Sequence, residues 1–342
     1  MVNKILITGA GGYIGSRMVD EYLGLGYNII ALDGFFFGNV LDDLKTNKNL
    51  CIVRDDIRFF NEELLKDVDV VIDLASISND VAADLVPQAT KDINYKGAVR
   101  VAKLAKKKGV KKYILSSSCS VYGSGDTLLD EESSLSPLSE YSKSKLLAEK
   151  ETLKLSDRNF SVTCLRNATV YGLSKRRMRF DLMVNLMTLN AWEEKKIFIW
   201  GGGKQWRPLV HIDDCINAFL AVVQESDIRK INGQIFNVGS RDQNFQVYQV
   251  ANKFKKYFPK LVLEKVPGNI ERKDYKVDFT KIITVMNFKI RKTVEDGIEE
   301  LLPALKSGEL VYDITTKTAQ YYQYLINADR ILESVKLNGK IF

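Results

Sequence analysis

The chain has 342 residues, with 50 lysines and arginines against 43 aspartates and glutamates and one histidine, for a formal charge of +7. This length supports a large core in one elaborated domain or two lobes, and the basic excess is dispersed rather than gathered into a nucleic-acid-binding patch. Cys51, Cys119, Cys164 and Cys215 form no CxxC pair, no imidazole–thiolate set for a metal exists, no apolar run reaches membrane-spanning length and no signal peptide precedes the first strand, so reduced thiols and a cytoplasmic setting are expected.

The first expected strand, Lys4 to Thr8, runs into Gly9-Ala10-Gly11-Gly12-Tyr13-Ile14-Gly15, and a helical spacing of apolar residues (Met18, Val19, Tyr22, Leu23) starts at once. A strand, a glycine-rich turn and a helix start in this order make a dinucleotide pyrophosphate site. Gly9 permits the tight turn, Gly12 lets backbone approach phosphate, and Gly15 lets the helix pack close to the strand. The helix start supplies unpaired N–H groups and a positive dipole end. The second strand, Asn28 to Leu32, ends in Asp33, 18 positions after Gly15. An acidic residue near this spacing accepts from ribose hydroxyls and repels a 2′-phosphate, so NAD is expected over NADP.

Strand-like runs recur at 50–54, 68–75, 112–117 and 160–166, alternating with helical stretches, the longest from about Asp92 to Lys108. Such alternation predicts an α/β fold, a doubly wound parallel (Rossmann) sheet with helices on both faces and ligands at the carboxyl ends of the strands. Asp55 and Asp56 with Ile57 follow the third strand, where a carboxylate can meet an adenine amino group; Leu74 and Ala75 end the fourth. The run Lys106-Lys107-Lys108, with Lys111 and Lys112, falls where a helix stops at Gly109, and is read as a solvated helix end complementing the dipole.

After Gly172 the elements shorten. A basic stretch, Lys175 to Arg179, precedes a helix expected at 181–192; a strand at 197–200, a turn at Gly201-Gly202-Gly203 and Trp206 to His211 follow. The division is therefore residues 1–172 as a dinucleotide-binding domain and 173–342 as a smaller, mainly substrate-binding lobe, with segments near 213–238 returning to the first sheet. The last helix, about 316–332, carries Tyr321, Tyr322 and Tyr324, read as a packing face.

The chemistry is expected where the fifth strand runs into Ser116-Ser117-Ser118-Cys119-Ser120-Val121-Tyr122-Gly123, and at Tyr141-Ser142-Lys143-Ser144-Lys145. Tyr141 and Lys145 are four apart, so on a helix they share one face and the ammonium lies beneath the phenol. A tyrosine is a poor base at neutral pH, but an adjacent ammonium and a positive nicotinamide ring both favour the phenolate. Ser118 can hold a substrate oxygen and relay its proton.

These motifs, together with Asn94, Leu165-Arg166 and Val170-Tyr171-Gly172, resemble the extended short-chain dehydrogenases/reductases of the NAD-dependent epimerase/dehydratase family over nearly the whole chain. The resemblance implies bound NAD, a nucleotide-sugar substrate, a homodimer paired through a helix bundle, and cofactor contacts from Tyr13, Ile14, Asp56, Ile57, Leu74, Ala75, Tyr141 and Lys145. It further implies that Arg207, in Arg207-Pro208-Leu209-Val210-His211, and Arg272 grip the substrate diphosphate. Dehydratases of the family carry Asp-Glu directly after the catalytic serine or threonine, where this chain has Cys119 and Ser120. 3,5-Epimerases place a cysteine where Ser120 stands, and a family asparagine corresponds to Thr169. Cys119 is then read as a packed thiol and His211 as structural. A C4 epimerase working through a transient 4-keto sugar is the expected activity; a ketoreductase or dehydrogenase, and a non-catalytic relative, are the alternatives.

Overall fold

The computed structural model describes residues 2–267 and 273–341. Seven parallel strands form the central sheet in the order Gln234–Val238, Ser161–Asn167, Lys112–Ser118, Val70–Asp73, Lys4–Thr8, Asn28–Asp33, Leu50–Arg54. The inner strands are short apolar runs because helices cover both faces, and side chains alternate between two cores. Ile5 and Ile7 join Met18, Val19 and Phe219 from helices Tyr13–Gly24 and Ile212–Gln224. Leu6, between them, joins Val101 and Ala105 of helix Ala98–Lys107 on the other face. The order turns back between Lys4–Thr8 and Val70–Asp73, which opens a crevice at the carboxyl ends of these two strands.

Strand Gln234–Val238 pairs in parallel with Thr163–Asn167, so the chain that leaves the sheet after Asn167 comes back to its edge. Outside the central sheet lie a three-stranded sheet (Asn244–Gln246, Trp206–His211, Thr169–Tyr171) and two strand pairs. A third core, with Val184, Met187, Val250, Phe254 and Leu302, holds this smaller lobe together.

Two boundaries differ from the sequence reading for a physical reason. The fourth strand stops at Asp73 rather than running to Ala75, because the buried Asp73 carboxylate accepts from Thr8 Oγ1 (2.6 Å) and the Tyr113 hydroxyl (2.5 Å), and the chain turns there. The helical stretch up to Lys107 is not uniform: Asp92–Gly97 is a widened π turn. That turn carries the buried Asn94, whose amide grips both the N–H (2.8 Å) and the C=O (3.0 Å) of Ile77 in the loop after the fourth strand. Of the basic run, Lys106 pairs with Asp157, Lys107 with Glu62 and Lys108 with Glu63. Among the described residues no helix is long and apolar enough to cross a membrane.

Candidate active site

A cavity of about 810 Å³ opens along the crevice and continues without a wall into the smaller lobe. Its floor at one end is the glycine turn. Gly9 has φ +69°, and a Cβ at Gly15 would lie 2.1 Å from the Gly9 carbonyl oxygen, so neither position accepts a side chain without moving backbone. Helix Tyr13–Gly24 begins after Gly12 with no side-chain cap and no acidic residue in its first turn, leaving its positive end open to the cavity. Asp33 stands beside it, with Oδ2 accepting from Gly11 N (2.9 Å) and Oδ1 from Phe35 N (2.5 Å). Each oxygen keeps a further lone pair. Burial raises the Asp33 pKa against the opposing pull of those two amides and of Arg177. Tyr13, Ile14, Ile57, Leu74 and Ala75 line the same end, as does Asp56, whose carboxylate is forked by Arg58 (2.6 Å) and held below its usual range by that bond. A phosphate cradle, an open helix end and a ribose-height carboxylate fit a dinucleotide.

Ser118, Tyr141 and Lys145 meet in the middle of the cavity. Ser118 ends the fifth strand. Tyr141 and Lys145 sit on helix Glu140–Leu153, which is started by a capping box between Ser139 and Ser142. The helix places the Lys145 Nζ 6.0 Å from the centre of the Tyr141 ring and within 2.8 Å of the Ser116 carbonyl oxygen, to which it donates. Burial sets the protonation states that the protein gives this pair without a nicotinamide ring beside it. Burial pushes the Tyr141 phenol up to about 12, a rise that its hydrogen bond with Ser118 only partly offsets. Burial also pulls Lys145 down to about 8, opposed by Asp73 and Glu149. The protein alone therefore holds a neutral phenol at neutral pH; desolvation outweighs the Ser118 hydrogen bond and the charge of Arg179.

Beneath this trio a buried network fixes the strand end. Glu149 accepts from Ser117 (2.5 Å) and from Arg166 (2.8 Å), and Arg166 also donates to the Tyr122 hydroxyl (3.0 Å). Cys119 points away, its thiol donating to the Arg166 carbonyl oxygen (3.1 Å), and burial raises its pKa. His211 caps helix Ile212–Gln224 by accepting from Asp213 N (3.2 Å), its other ring nitrogen bonds Glu300 (3.0 Å), and it does not line the cavity.

Arg207 lines the same cavity from strand Trp206–His211 and donates to the carbonyls of Trp206 (2.7 Å) and Lys273 (2.6 Å). Arg272 lies outside the described residues. Thr169, paired with Leu209 of strand Trp206–His211, also lines the cavity, as does Asn167, the register partner of Ser118 on the neighbouring strand.

Several cavity residues carried no signal that sequence reasoning used. The Ser120 hydroxyl is buried, lines the cavity and has no hydrogen-bond partner. Asn79 adopts φ 140°, a glycine-like conformation; its amide caps helix Asp80–Leu85 and donates to Asp181 (2.9 Å), which also pairs with Arg179 (2.8 Å). On the last helix Tyr321 and Tyr322 both pack on Phe37 (5.2 and 5.5 Å between ring centres), and Tyr322 lines the cavity as well, because helix Thr318–Val335 crosses its rim. Arg177, within the basic stretch, lines it as well.

The sequence profile of the NAD dependent epimerase/dehydratase family matches residues 5–239. A putative UDP-glucose 4-epimerase of Methanocaldococcus jannaschii is 30% identical over 243 residues, 69% of this chain and 76% of that protein. A UDP-N-acetyl-alpha-D-glucosaminuronate decarboxylase of Bacillus cytotoxicus is 27% identical over 322 residues, 88% of this chain and 97% of that protein. Among solved structures, a UDP-glucuronic acid 4-epimerase from Bacillus cereus in complex with UDP-glucuronic acid and NAD superposes with a TM-score of 0.77 at 27% identity, covering 89% of this chain and 99% of that one.

Proposed function

The chain belongs to the NAD dependent epimerase/dehydratase family, and we propose that it is a nucleotide-sugar epimerase inverting C4 of a nucleotide-linked hexose through a transient 4-keto sugar. The observation that carries this reading is that one undivided cavity joins the dinucleotide cradle to Ser118, Tyr141 and Lys145 and then to Arg207. NAD, when bound, supplies reversible hydride acceptance at the sugar's C4.

The protein's part is proton handling and orientation. Tyr141 takes the proton of the 4-hydroxyl, directly or through Ser118, and gives it back when the hydroxyl is re-formed. A phenol held at about 12 by burial does this only when a positive charge arrives beside it, so proton abstraction is coupled to a loaded site. Lys145 holds the cofactor ribose and adds to that charge, and its bond to the Ser116 carbonyl fixes it in place. Ser120 offers an unpaired hydroxyl to the sugar. Arg207 anchors the substrate diphosphate, since a guanidinium fork can bond two phosphate oxygens at once. A sugar held mainly by its diphosphate can rotate about the phosphate linkage and present the other face of its ketone. Cys119 and Ser120 stand where dehydratases of the family carry Asp-Glu, which supports epimerisation over dehydration, and Ser120 stands where 3,5-epimerases carry a cysteine, which supports C4. A homodimer is part of this proposal, on family grounds alone.

The test is incubation with UDP-, dTDP-, GDP- and CDP-hexoses, following the sugar by NMR and reduced cofactor by absorbance. A C4 epimer without accumulating NADH is expected. Stoichiometric NADH, or consumption of added NADH by a keto sugar, establishes the dehydrogenase or reductase instead.

A further inference from the structure

On the cofactor side of the cavity wall, Arg179 is matched with a carboxylate and Arg177 is not. Arg166 pairs with Glu149 (2.8 Å), Arg176 with Asp20 (2.8 Å) and Arg179 with Asp181 (2.8 Å). Arg177 is only 4% exposed. Its guanidinium stacks on the Phe37 ring at 3.8 Å, one nitrogen donates to the Met178 carbonyl, another to Thr318 Oγ1 (3.3 Å), and Nε has no partner. Among the described residues no carboxylate lies at ion-pair distance from it. Its hydrogen-bond partners are all neutral, and the charges of Asp181 and Asp313 act on it without contact and do not offset its burial; a cation held this way in a cavity wall suits an anion that binds there.

Its position says which anion. Residues 172–181 lie against the start of helix Tyr13–Gly24: the Tyr13 hydroxyl donates to the Gly172 carbonyl (2.6 Å), and Ser174 donates to the Tyr13 carbonyl (3.0 Å). Arg177 is thereby on the cofactor side, near Asp33, whose ionisation its charge favours. The helix end and this guanidinium then present two positive groups to one region, the arrangement that a diphosphate satisfies.

The partner that orients Arg177 is the C-terminal helix. Thr318 accepts its hydrogen bond, Tyr321 and Tyr322 pack on the same Phe37 ring (5.2 and 5.5 Å), and Ala319 and Tyr322 pack beside Ile77, Ala82 and Ala83 on the opposite rim. The helix thus spans from the loop after the second strand to the loop after the fourth, across the mouth of the cofactor end. We propose that Arg177 is a counter-charge for the diphosphate of the bound dinucleotide, and that helix Thr318–Val335 is a clasp that closes over the cofactor and slows its escape. This rests on the assignment of that end of the cavity to NAD and extends it: a redox-neutral enzyme gains from a cofactor that stays bound between turnovers.

The experiment compares wild type, Arg177→Met and Tyr322→Ala, each stripped of nucleotide, by calorimetry with NAD, ADP and adenosine, and by the rate at which bound NAD is lost on dilution into excess ADP. Arg177→Met should weaken NAD and ADP about tenfold to a hundredfold, as expected for a lost charge-assisted contact, and leave adenosine within about twofold. Its ligand-free melting temperature should not fall, because the change removes a buried charge that burial disfavours and no ion pair holds. Tyr322→Ala should release NAD at least about fivefold faster, by removing roughly a kcal/mol-scale ring contact from the closed helix. Normal NAD and ADP binding by Arg177→Met, an equal loss for adenosine, or failure of that variant to fold would overturn the counter-charge; an unchanged release rate in Tyr322→Ala would overturn the clasp. If wild type itself does not bind NAD, the cofactor assignment fails instead.

Discussion

Lys145→Met should stabilise the ligand-free protein at neutral pH while abolishing turnover. Burial lowers the Lys145 pKa from 10.5 to about 8. At about 1.4 kcal/mol per pH unit, holding the ammonium inside costs the folded state about 3 kcal/mol. The variant leaves the Ser116 carbonyl without its donor, a loss of about 1 kcal/mol. The net gain at pH 7 is then about 2 kcal/mol. Its pH dependence gives the sharper signature. Between pH 8 and 10.5 the unfolded lysine binds a proton that the folded one has released, so wild-type stability rises with pH relative to the variant. By pH 10.5 the advantage of Lys145→Met should be gone, leaving the variant about level or slightly worse. Urea unfolding of both proteins at pH 7, 8, 9 and 10.5 measures this, and the comparison cancels groups common to both. A variant less stable at pH 7, or a difference that does not change from pH 7 to 10.5, would refute the claim that Lys145 is a desolvated ammonium held for function.

Tyr141→Phe should lower turnover by about a hundredfold to ten-thousandfold, the range for a removed general base, while NAD still binds in calorimetry; near-normal turnover would move the base elsewhere. Asp33→Ala should weaken NAD and narrow its preference over NADP, and because it also frees the Gly11 and Phe35 amides, the melting temperature should drop modestly. Equal affinity of wild type for NAD and NADP would remove Asp33 from cofactor choice. Arg207→Ala should cost about 1.5 to 3 kcal/mol of nucleotide-sugar binding with NAD affinity unchanged; unaltered sugar-nucleotide binding would place the diphosphate elsewhere.

The parts of the fold and site that sequence revealed are those specified locally. Gly9, Gly12 and Gly15 announce the cradle because their lack of a side chain is the function, and Tyr141 and Lys145 announce a shared face because four residues is one helical turn. Strand Gln234–Val238 was legible as an apolar run, and its return to the sheet followed from topology. Other features depend on contacts far apart in sequence. Whether Arg177 or Arg179 keeps a carboxylate is decided by Asp181, Phe37 and Thr318. Tyr322 reads as one aromatic among three until the helix is laid over the cavity. The ionisation of Tyr141 could not be read from the adjacency of Lys145, because spacing gives neighbours and leaves out desolvation by burial. A second diphosphate grip, expected at Arg272, lies outside the described residues.

The central claim, that C4 is oxidised and reduced on the enzyme with no other carbon touched, is tested most directly by a nucleotide hexose carrying deuterium at C4. With wild type in ordinary water, NMR should find the two C4 epimers interconverting with the deuterium still at C4 in both and no NADH building up. Deuterium lost to water, deuterium appearing at another carbon, or an unchanged substrate across the four nucleotide classes would contradict it.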